Sequence, residues 1–303
     1  MAAISLDPTV VPDESSQPSM SPWRAALHTL SRDRAAMTGV VVLAALAAVA
    51  IAAPLVAPYD PSAQPDIVRL KNLAPSLAHP FGTDEFSRDV LTRIIYGARV
   101  SLAVAFLSVI LAATVGTIYG AIAGYVGGFV DSLLMRCVDA LLAIPRVLLL
   151  IAVATLWNGL GVSGLVLLLG LTGWFGVSRL VRTLVVSARE DDFIAAARAL
   201  GASDLRILAL HILPRVMSPV FVAATLAVGN VIVIEAGLTY LGMGIQPPHA
   251  SWGSVFRDGM NTFTSSWWVS VFAGGALVIT VLAVNLVADG LREALNARQL
   301  PAR

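Results

Sequence analysis

The sequence is poor in the residues on which water-soluble enzymes depend. Charged residues are 13% of its 303 residues, whereas soluble domains have about 25%. The single cysteine, Cys137, excludes an internal disulfide framework, and the four histidines lack the spacing of a metal site. The only lysine, Lys71, does not follow a glycine-rich phosphate-binding run. We therefore expect the chain to bind no metal and no cofactor, and its net charge of +1 gives no sign of nucleic-acid binding.

Apolar residues dominate what is present. They make up 57% of the chain, and the mean hydropathy is +0.81. We predict an all-α integral membrane protein with six transmembrane helices, because each apolar run approaches the ~20 residues that a span requires. The first span covers residues 37–57; a cleaved signal peptide is the alternative, but 36 residues precede the run. The later spans are expected near residues 100–125, 131–157, 164–187, 216–241 and 269–288.

The distribution of basic residues predicts the orientation. Twelve of the twenty Lys and Arg residues lie in the N-terminal tail, the region of residues 179–215 and the C-terminus. The positive-inside rule places these parts in the cytoplasm. The sequence then divides into a cytoplasmic tail with a surface helix (1–36), the first span (37–57), an extracytoplasmic segment (58–99), a five-helix core (100–293) and a cytoplasmic C-terminus (294–303).

Residues 190–214, here named the connecting loop, form a polar segment between two apolar runs. The pattern predicts a helix from about Asp192 that stops at Gly201, which can adopt the left-handed conformation. A second helix is expected to begin at Ser203 as its N-cap and to end before Pro214. A surface of small residues flanked by charge favours docking of another protein: Ala195, Ala196, Ala197, Ala199, Arg198 and Arg206. A simple tether between two spans is the alternative.

The connecting loop resembles the "EAA" motif, E-A-A-x3-G-x9-I-x-L-P, of the membrane subunits of ATP-binding-cassette (ABC) importers. Ala196, Ala197, Gly201, Leu213 and Pro214 match, whereas Ala195 and His211 replace the Glu and Ile of that pattern. Residues 79–102, 131–145 and 232–253 resemble the C-type permease subunit of the dipeptide/oligopeptide/nickel branch.

This resemblance implies the fold of a type I importer in a bacterial inner membrane. It also implies a B-type permease partner, two ATPases that bind ATP-Mg, and an extracytoplasmic substrate-binding lipoprotein. The residues carried over as ATPase-coupling are Ala195, Ala196, Ala197, Arg198, Gly201, Leu213 and Pro214.

Charged residues inside predicted spans are a second set of candidates. Arg136 and Asp139 are three residues apart and are expected to pair with each other or with a partner helix; a proton relay is the alternative. Glu235 could face the pore, accept hydrogen bonds from a neighbouring turn, or bind a substrate amine. A proton- or ion-coupled transporter using Asp139 and Glu235 is the alternative function, although the sequence shows no inverted repeat.

Three structural expectations concern the rest of the chain. Gly116, Gly120 and Gly124 are predicted to let two helices approach closely. An amphipathic helix over residues 87–96 is expected to precede the second span, with Asp84, Glu85, Arg88 and Asp89 on a solvated face. Trp267 and Trp268 are predicted to lie at the membrane interface.

Overall fold

The computed structural model describes residues 29–157 and 160–296, so most of the predicted N-terminal tail and residues 297–303 lie outside the described residues. Apart from an isolated antiparallel bridge between Thr83 and Asp89, the regular structure in these ranges is helical. The helices are α1 (Arg34–Ile51), α2 (Ala53–Val56), α3 (Val90–Val126), α4 (Gly128–Leu142), α5 (Arg146–Leu156), α6 (Val162–Arg189), α7 (Asp192–Ala199), α8 (Asp204–Ile207), a π-helical turn (Leu208–Ile212), α9 (Leu213–Tyr240), α10 (Trp252–Asn261) and α11 (Phe263–Asn296).

Five helical stretches are long and apolar enough to cross a membrane: α1, α3, α6, the stretch Asp204–Tyr240 and α11. Helices α4 and α5 pass the same test together but meet at an angle of 78°. The break lies before Pro145, because proline has no N–H to donate and disfavours helical backbone in the residue before it. The predicted all-α membrane fold is confirmed, and the described residues contain the predicted six spans if this bent pair counts as the third.

Helix α3 is longer than the sequence pattern predicted. The expected short helix over residues 87–96 and the second span are one continuous helix from Val90 to Val126. The Asp89 side chain caps its start by accepting a 2.8 Å hydrogen bond from the Thr92 N–H. At ~1.5 Å per residue the helix is about 55 Å long, so it extends well beyond a hydrocarbon core of about 30 Å.

The predicted glycine stripe on α3 allows close contact with α6. A β-carbon at Gly120 would lie 2.3 Å from the Ser178 carbonyl oxygen, and one at Gly124 would lie 2.8 Å from that of Arg182. These distances leave no room for a side chain. The close packing of α3 and α6 therefore depends on glycine, as expected for a small-residue helix interface.

The predicted interfacial pair of tryptophans is wrong for Trp268. Trp267 is exposed, but Trp268 is buried and its Nε1–H donates to the Thr83 carbonyl oxygen at 3.3 Å. Gly82 has a φ of +73°, and a β-carbon there would lie 2.5 Å from Trp268 Nε1. The segment before α3 thus folds onto α11, and it covers Trp268.

The predicted solvated face before α3 is also wrong, because Asp84, Arg88 and Asp89 are buried. Asp84 Oδ2 accepts hydrogen bonds from Arg88 Nε at 2.7 Å and Arg93 Nη1 at 2.6 Å. Asp258 Oδ2 on α10 accepts from Arg88 Nη2 at 3.0 Å and Arg93 Nη2 at 2.9 Å. The two carboxylates and two guanidinium groups form a neutral cluster that joins α3 to α10. The sequence pattern could not reveal this cluster, because Asp258 is 165 or more residues from the two arginines.

We expect Asp84→Ala to destabilise the protein strongly. The substitution leaves two buried guanidinium groups with one carboxylate, and breaking a buried ion pair costs about 3–5 kcal/mol. The thermal midpoint of the detergent-solubilised protein should fall by at least about 5 °C. Glu85→Ala is the matched control, since Glu85 is next in sequence but only partly buried. Equal midpoints for the two variants would contradict a stabilising cluster.

Candidate functional site

The first half of the connecting loop is helix α7 followed by a tight turn at Gly201. Gly201 has a φ of +84°, as predicted. Its N–H donates to the Arg198 carbonyl oxygen at 3.0 Å, and the Ala202 N–H donates to that of Ala197 at 3.1 Å. This pair of hydrogen bonds is a Schellman motif, which satisfies the last carbonyl groups of the helix. A β-carbon at Gly201 would meet no atom within 4 Å, so the backbone conformation alone requires glycine.

The second half of the loop differs from the prediction. Ser203 occupies the N-cap position of α8, but its side chain makes no capping hydrogen bond. The expected end before Pro214 is wrong: the helix continues through the π-helical turn into α9, with Pro214 in the first turn of α9. A widened turn before Pro214 accommodates a residue that cannot donate a backbone hydrogen bond. The second half of the loop is therefore a continuous extension of a membrane-spanning helix.

The side of the loop that faces the bundle is apolar. Ile194, Ile207 and Ile212 are fully buried and pack with Val181 and Val185 of α6. Burial of each of these isoleucine side chains contributes about 1.5–3 kcal/mol. These contacts hold both halves of the loop against the end of α6.

Polar contacts attach the same loop to its neighbours. The Tyr125 hydroxyl at the end of α3 donates a 2.6 Å hydrogen bond to Asp204 Oδ1. Arg215 of α9 forms an ion pair with Asp191, and its guanidinium carbon lies 4.9 Å from the centre of the Phe193 ring. Together with the apolar contacts, these interactions connect the loop to α3, α6 and α9.

The opposite side of the loop exposes large apolar side chains. Leu200 is 89% exposed, Leu205 77% and Leu210 62%. We call these three residues the leucine face. Sequence reasoning missed them, although apolar residues on two sides of the stretch Asp204–Ile212 were a detectable signal, since a helix with one solvated side should be apolar on the other only. An exposed apolar surface of this kind is typical of a protein interaction site.

The residues predicted to contact an ATPase do not all lie on one surface. Ala195, Ala196 and Arg198 are exposed, with Arg198 3.9 Å from Asp204. Ala197 and Leu213 are partly buried, and Leu213 packs against the apolar side of the loop. Pro214 is exposed, and Gly201 forms the turn. Two roles follow: the exposed residues can contact a partner, and the others shape the loop.

The structure separates the intramembrane candidates. Asp139 pairs with Arg179 of α6, not with Arg136. Arg136 is exposed and makes no ion pair within the described part of the chain. Glu235 is fully buried, where its carboxylate accepts hydrogen bonds from Ser101 Oγ at 3.0 Å and Thr239 Oγ1 at 2.9 Å.

The surroundings of Glu235 correspond to a structural hydrogen-bond network. Ser101 also accepts a 3.2 Å hydrogen bond from the backbone N–H of Trp252, a fully buried residue. The network thus joins α3, α9 and α10. Of the three roles considered for Glu235, the observed geometry corresponds to hydrogen bonding between neighbouring elements.

Comparison with known proteins connects this architecture to a family. The sequence profile described as "Binding-protein-dependent transport system inner membrane component" matches residues 116–300. A second profile, described as "N-terminal TM domain of oligopeptide transport permease C", matches residues 21–75. The first match covers more than half of the chain and includes the whole connecting loop.

Several relatives align with nearly the full length of the chain. A protein of Brucella abortus is 40% identical over 280 residues, which are 92% of this chain and 93% of the relative. The dipeptide transport system permease protein DppC of Alkalihalophilus pseudofirmus is 38% identical over 292 residues, covering 96% of this chain and 95% of that protein. DppC of Bacillus subtilis is 37% identical over 287 residues, covering 94% and 89%. The chain therefore belongs to the family of binding-protein-dependent transport system inner membrane components, as a multi-pass permease subunit.

Proposed function

We propose that the chain forms half of the translocation pathway of an ATP-driven importer of dipeptides or oligopeptides. Two relatives at 37–38% identity are named dipeptide permeases, which supports peptides as the substrate class. The chain itself is non-catalytic in this proposal. It pairs with a B-type permease, and two separate ATPase subunits bind and hydrolyse ATP-Mg.

The observation that carries the proposal is the connecting loop. It exposes the leucine face and is packed on the ends of α3, α6 and α9. An ATPase that binds the leucine face can move the loop, and the loop can tilt these helices. Coupling of this kind requires that the nucleotide-bound ATPase favour one pore conformation in free energy.

We also propose an orientation and a further partner. The connecting loop and both termini lie in the cytoplasm of a bacterium, with the chain in its inner membrane; the excess of basic residues in the N-terminal tail, the region 179–215 and the C-terminus supports this orientation. The segment before α3 then lies outside, together with α10. An extracytoplasmic binding lipoprotein delivers the peptide to that side.

Uptake by reconstituted protein tests this function. A labelled dipeptide should enter proteoliposomes only when both permeases, the ATPases, the binding protein and ATP are present. Glu235→Gln should retain most of this uptake, because the amide can still accept a hydrogen bond from one of the two hydroxyl groups. ATP-independent uptake driven by a proton gradient, lost in Glu235→Gln, would instead establish the secondary transporter that uses Asp139 and Glu235.

A further inference from the structure

We infer that a pocket beside the cluster that joins α3 to α10 receives an acidic side chain of the binding protein. This inference rests on the proposed function and adds to it a contact site for that partner on this chain. The outer pocket, as we name it, has a volume of about 280 Å³. Its walls include three residues of the segment before α3, the loop after α9 and one side of α10: Pro61, Ser62, Gln64, residues 247–250, Arg257 and Asp258.

The charges around the outer pocket do not balance. Three guanidinium groups line it, those of Arg88, Arg93 and Arg257. They share two carboxylates, Asp84 and Asp258, and no other carboxylate in the described residues forms an ion pair with them. A positive charge that is partly removed from water and has no full partner is unfavourable. The outer pocket therefore favours one further negative charge.

Arg257 is the arginine with the weakest contacts in this group. Arg88 and Arg93 each donate to two carboxylates at distances of 2.6–3.0 Å. Arg257 Nε lies 3.6 Å from Asp258 Oδ1, which is beyond hydrogen-bonding distance, and its Nη1 donates a long bond of 3.4 Å to the Thr239 carbonyl oxygen. Its guanidinium group thus keeps N–H donors for an incoming carboxylate, which this planar group can bind through two parallel hydrogen bonds.

Acidic residues of the neighbouring segment have partners of their own. The Asp60 carboxylate accepts hydrogen bonds from the Ser62 N–H at 2.7 Å and from the Ser62 hydroxyl at 2.5 Å. Asp66 forms an ion pair with Arg69 at 3.8 Å. His249 lines the outer pocket, and protonation of its ring would only add positive charge. The additional carboxylate is therefore expected from another molecule.

The size and position of the outer pocket favour a side chain of the binding protein. Its volume is below the range of about 300–1,000 Å³ that is usual for small-molecule sites, so a single side chain fits it well. Pro61, Pro247 and Pro248 line it, and the fixed backbone angle of proline holds these walls in place before a partner binds. In the proposed orientation this end of the bundle lies outside, where the binding protein arrives.

The affinity of the binding protein for the complete transporter in lipid nanodiscs tests the inference. Arg257→Gln should weaken binding at least about tenfold, mainly through faster dissociation, because the partner's carboxylate is then buried without a cation. Arg69→Gln is the matched control, since it removes the same charge from the same segment side but Arg69 is 86% exposed and does not line the pocket. Unchanged affinity in Arg257→Gln, or equal losses in the two variants, would overturn the inference.

Gln64→Glu tests the same pocket without removing a cation. The introduced carboxylate can pair with Arg257, so the thermal midpoint of the transporter alone should rise by about 2 °C. Binding of the binding protein should weaken about tenfold, because the cation already has a partner. In an Arg257→Gln background, Gln64→Glu should have little further effect, since both changes remove one interaction. A lower midpoint with unchanged affinity, or fully additive losses of affinity, would contradict a shared carboxylate site.

Sodium acetate distinguishes a protein side chain from a free carboxylate. Acetate that replaces chloride at constant ionic strength should raise the thermal midpoint of the unaltered transporter, and Arg257→Gln should abolish this rise. The same result with unchanged binding-protein affinity in Arg257→Gln would show a site for small free carboxylates and overturn the assignment to the binding protein. Absence of ATP-driven uptake by the unaltered complex would reject the proposed function, while the acetate measurement, which needs no binding protein, would still decide whether the outer pocket binds a carboxylate.

Discussion

Replacement of Gly201 by valine should abolish most peptide uptake while the assembled transporter continues to hydrolyse ATP. Gly201 has a φ of +84° at the end of α7, and a β-branched residue held in such a conformation costs on the order of 1–3 kcal/mol. The turn relieves this strain by moving, which displaces α7 from the position set by Ile194. The ATPase then keeps its own active site but no longer moves α6 and α9 correctly.

Gly201→Asn is the matched control for this variant. Asparagine tolerates the left-handed conformation better than other non-glycine residues, and nothing within 4 Å obstructs a β-carbon at this position. Uptake per ATP hydrolysed should therefore fall at least about tenfold in Gly201→Val and much less in Gly201→Asn. Normal uptake by Gly201→Val, at equal amounts of protein in the membrane, would contradict a role for the turn in coupling.

Leu205→Asp should release the ATPase from the detergent-solubilised complex. Leu205 is 77% exposed on the leucine face, so its substitution leaves the packing of the loop intact. Loss of an apolar contact removes about 2 kcal/mol, and an unpaired carboxylate buried at the interface adds a further cost. Since each 1.4 kcal/mol is tenfold in affinity, we expect a loss of about a hundredfold or more. Ala196→Asp, on the exposed side of α7, should also weaken co-purification.

Ala63→Asp is the control for an added negative charge. Ala63 is exposed in the segment before α3, at the end of the bundle opposite the connecting loop. This variant should co-purify the ATPase as the unaltered chain does. Undiminished co-purification with Leu205→Asp would remove the leucine face as the docking surface, and equal loss in Ala63→Asp would indicate a general effect of charge on assembly.

The predictions that depended only on residues close together in the sequence agree with the structure. Apolar runs of sufficient length identified the spans, and four-residue spacing of Gly116, Gly120 and Gly124 identified a close helix contact. The left-handed turn at Gly201 was predictable because the flexible backbone of glycine is a local property. The helix start at Val90 was predicted three residues too early, although the Asp89 side chain caps it through a local hydrogen bond.

The sequence predicted where the candidate site lies, but only some of the residues that are exposed there. The motif located the connecting loop, but it included Ala197 and Leu213, which are partly buried, and left out Leu200, Leu205 and Leu210. Which side of a short helix faces outward depends on where its neighbours lie. That information is held by Val181 and Val185 on another helix, and no local pattern contains it.

The sequence by itself determined that this protein is a multi-pass helical membrane protein and which polar segment interrupts its apolar runs, because hydropathy and glycine conformation are properties of short stretches of chain. Only the tertiary structure decided the partners of its charged groups. Asp84 meets Asp258 through two shared arginines, Asp139 pairs with Arg179 in preference to Arg136, and Glu235 is bonded to Ser101. These pairs join residues separated by tens to hundreds of positions, and folding alone brings them within hydrogen-bonding distance.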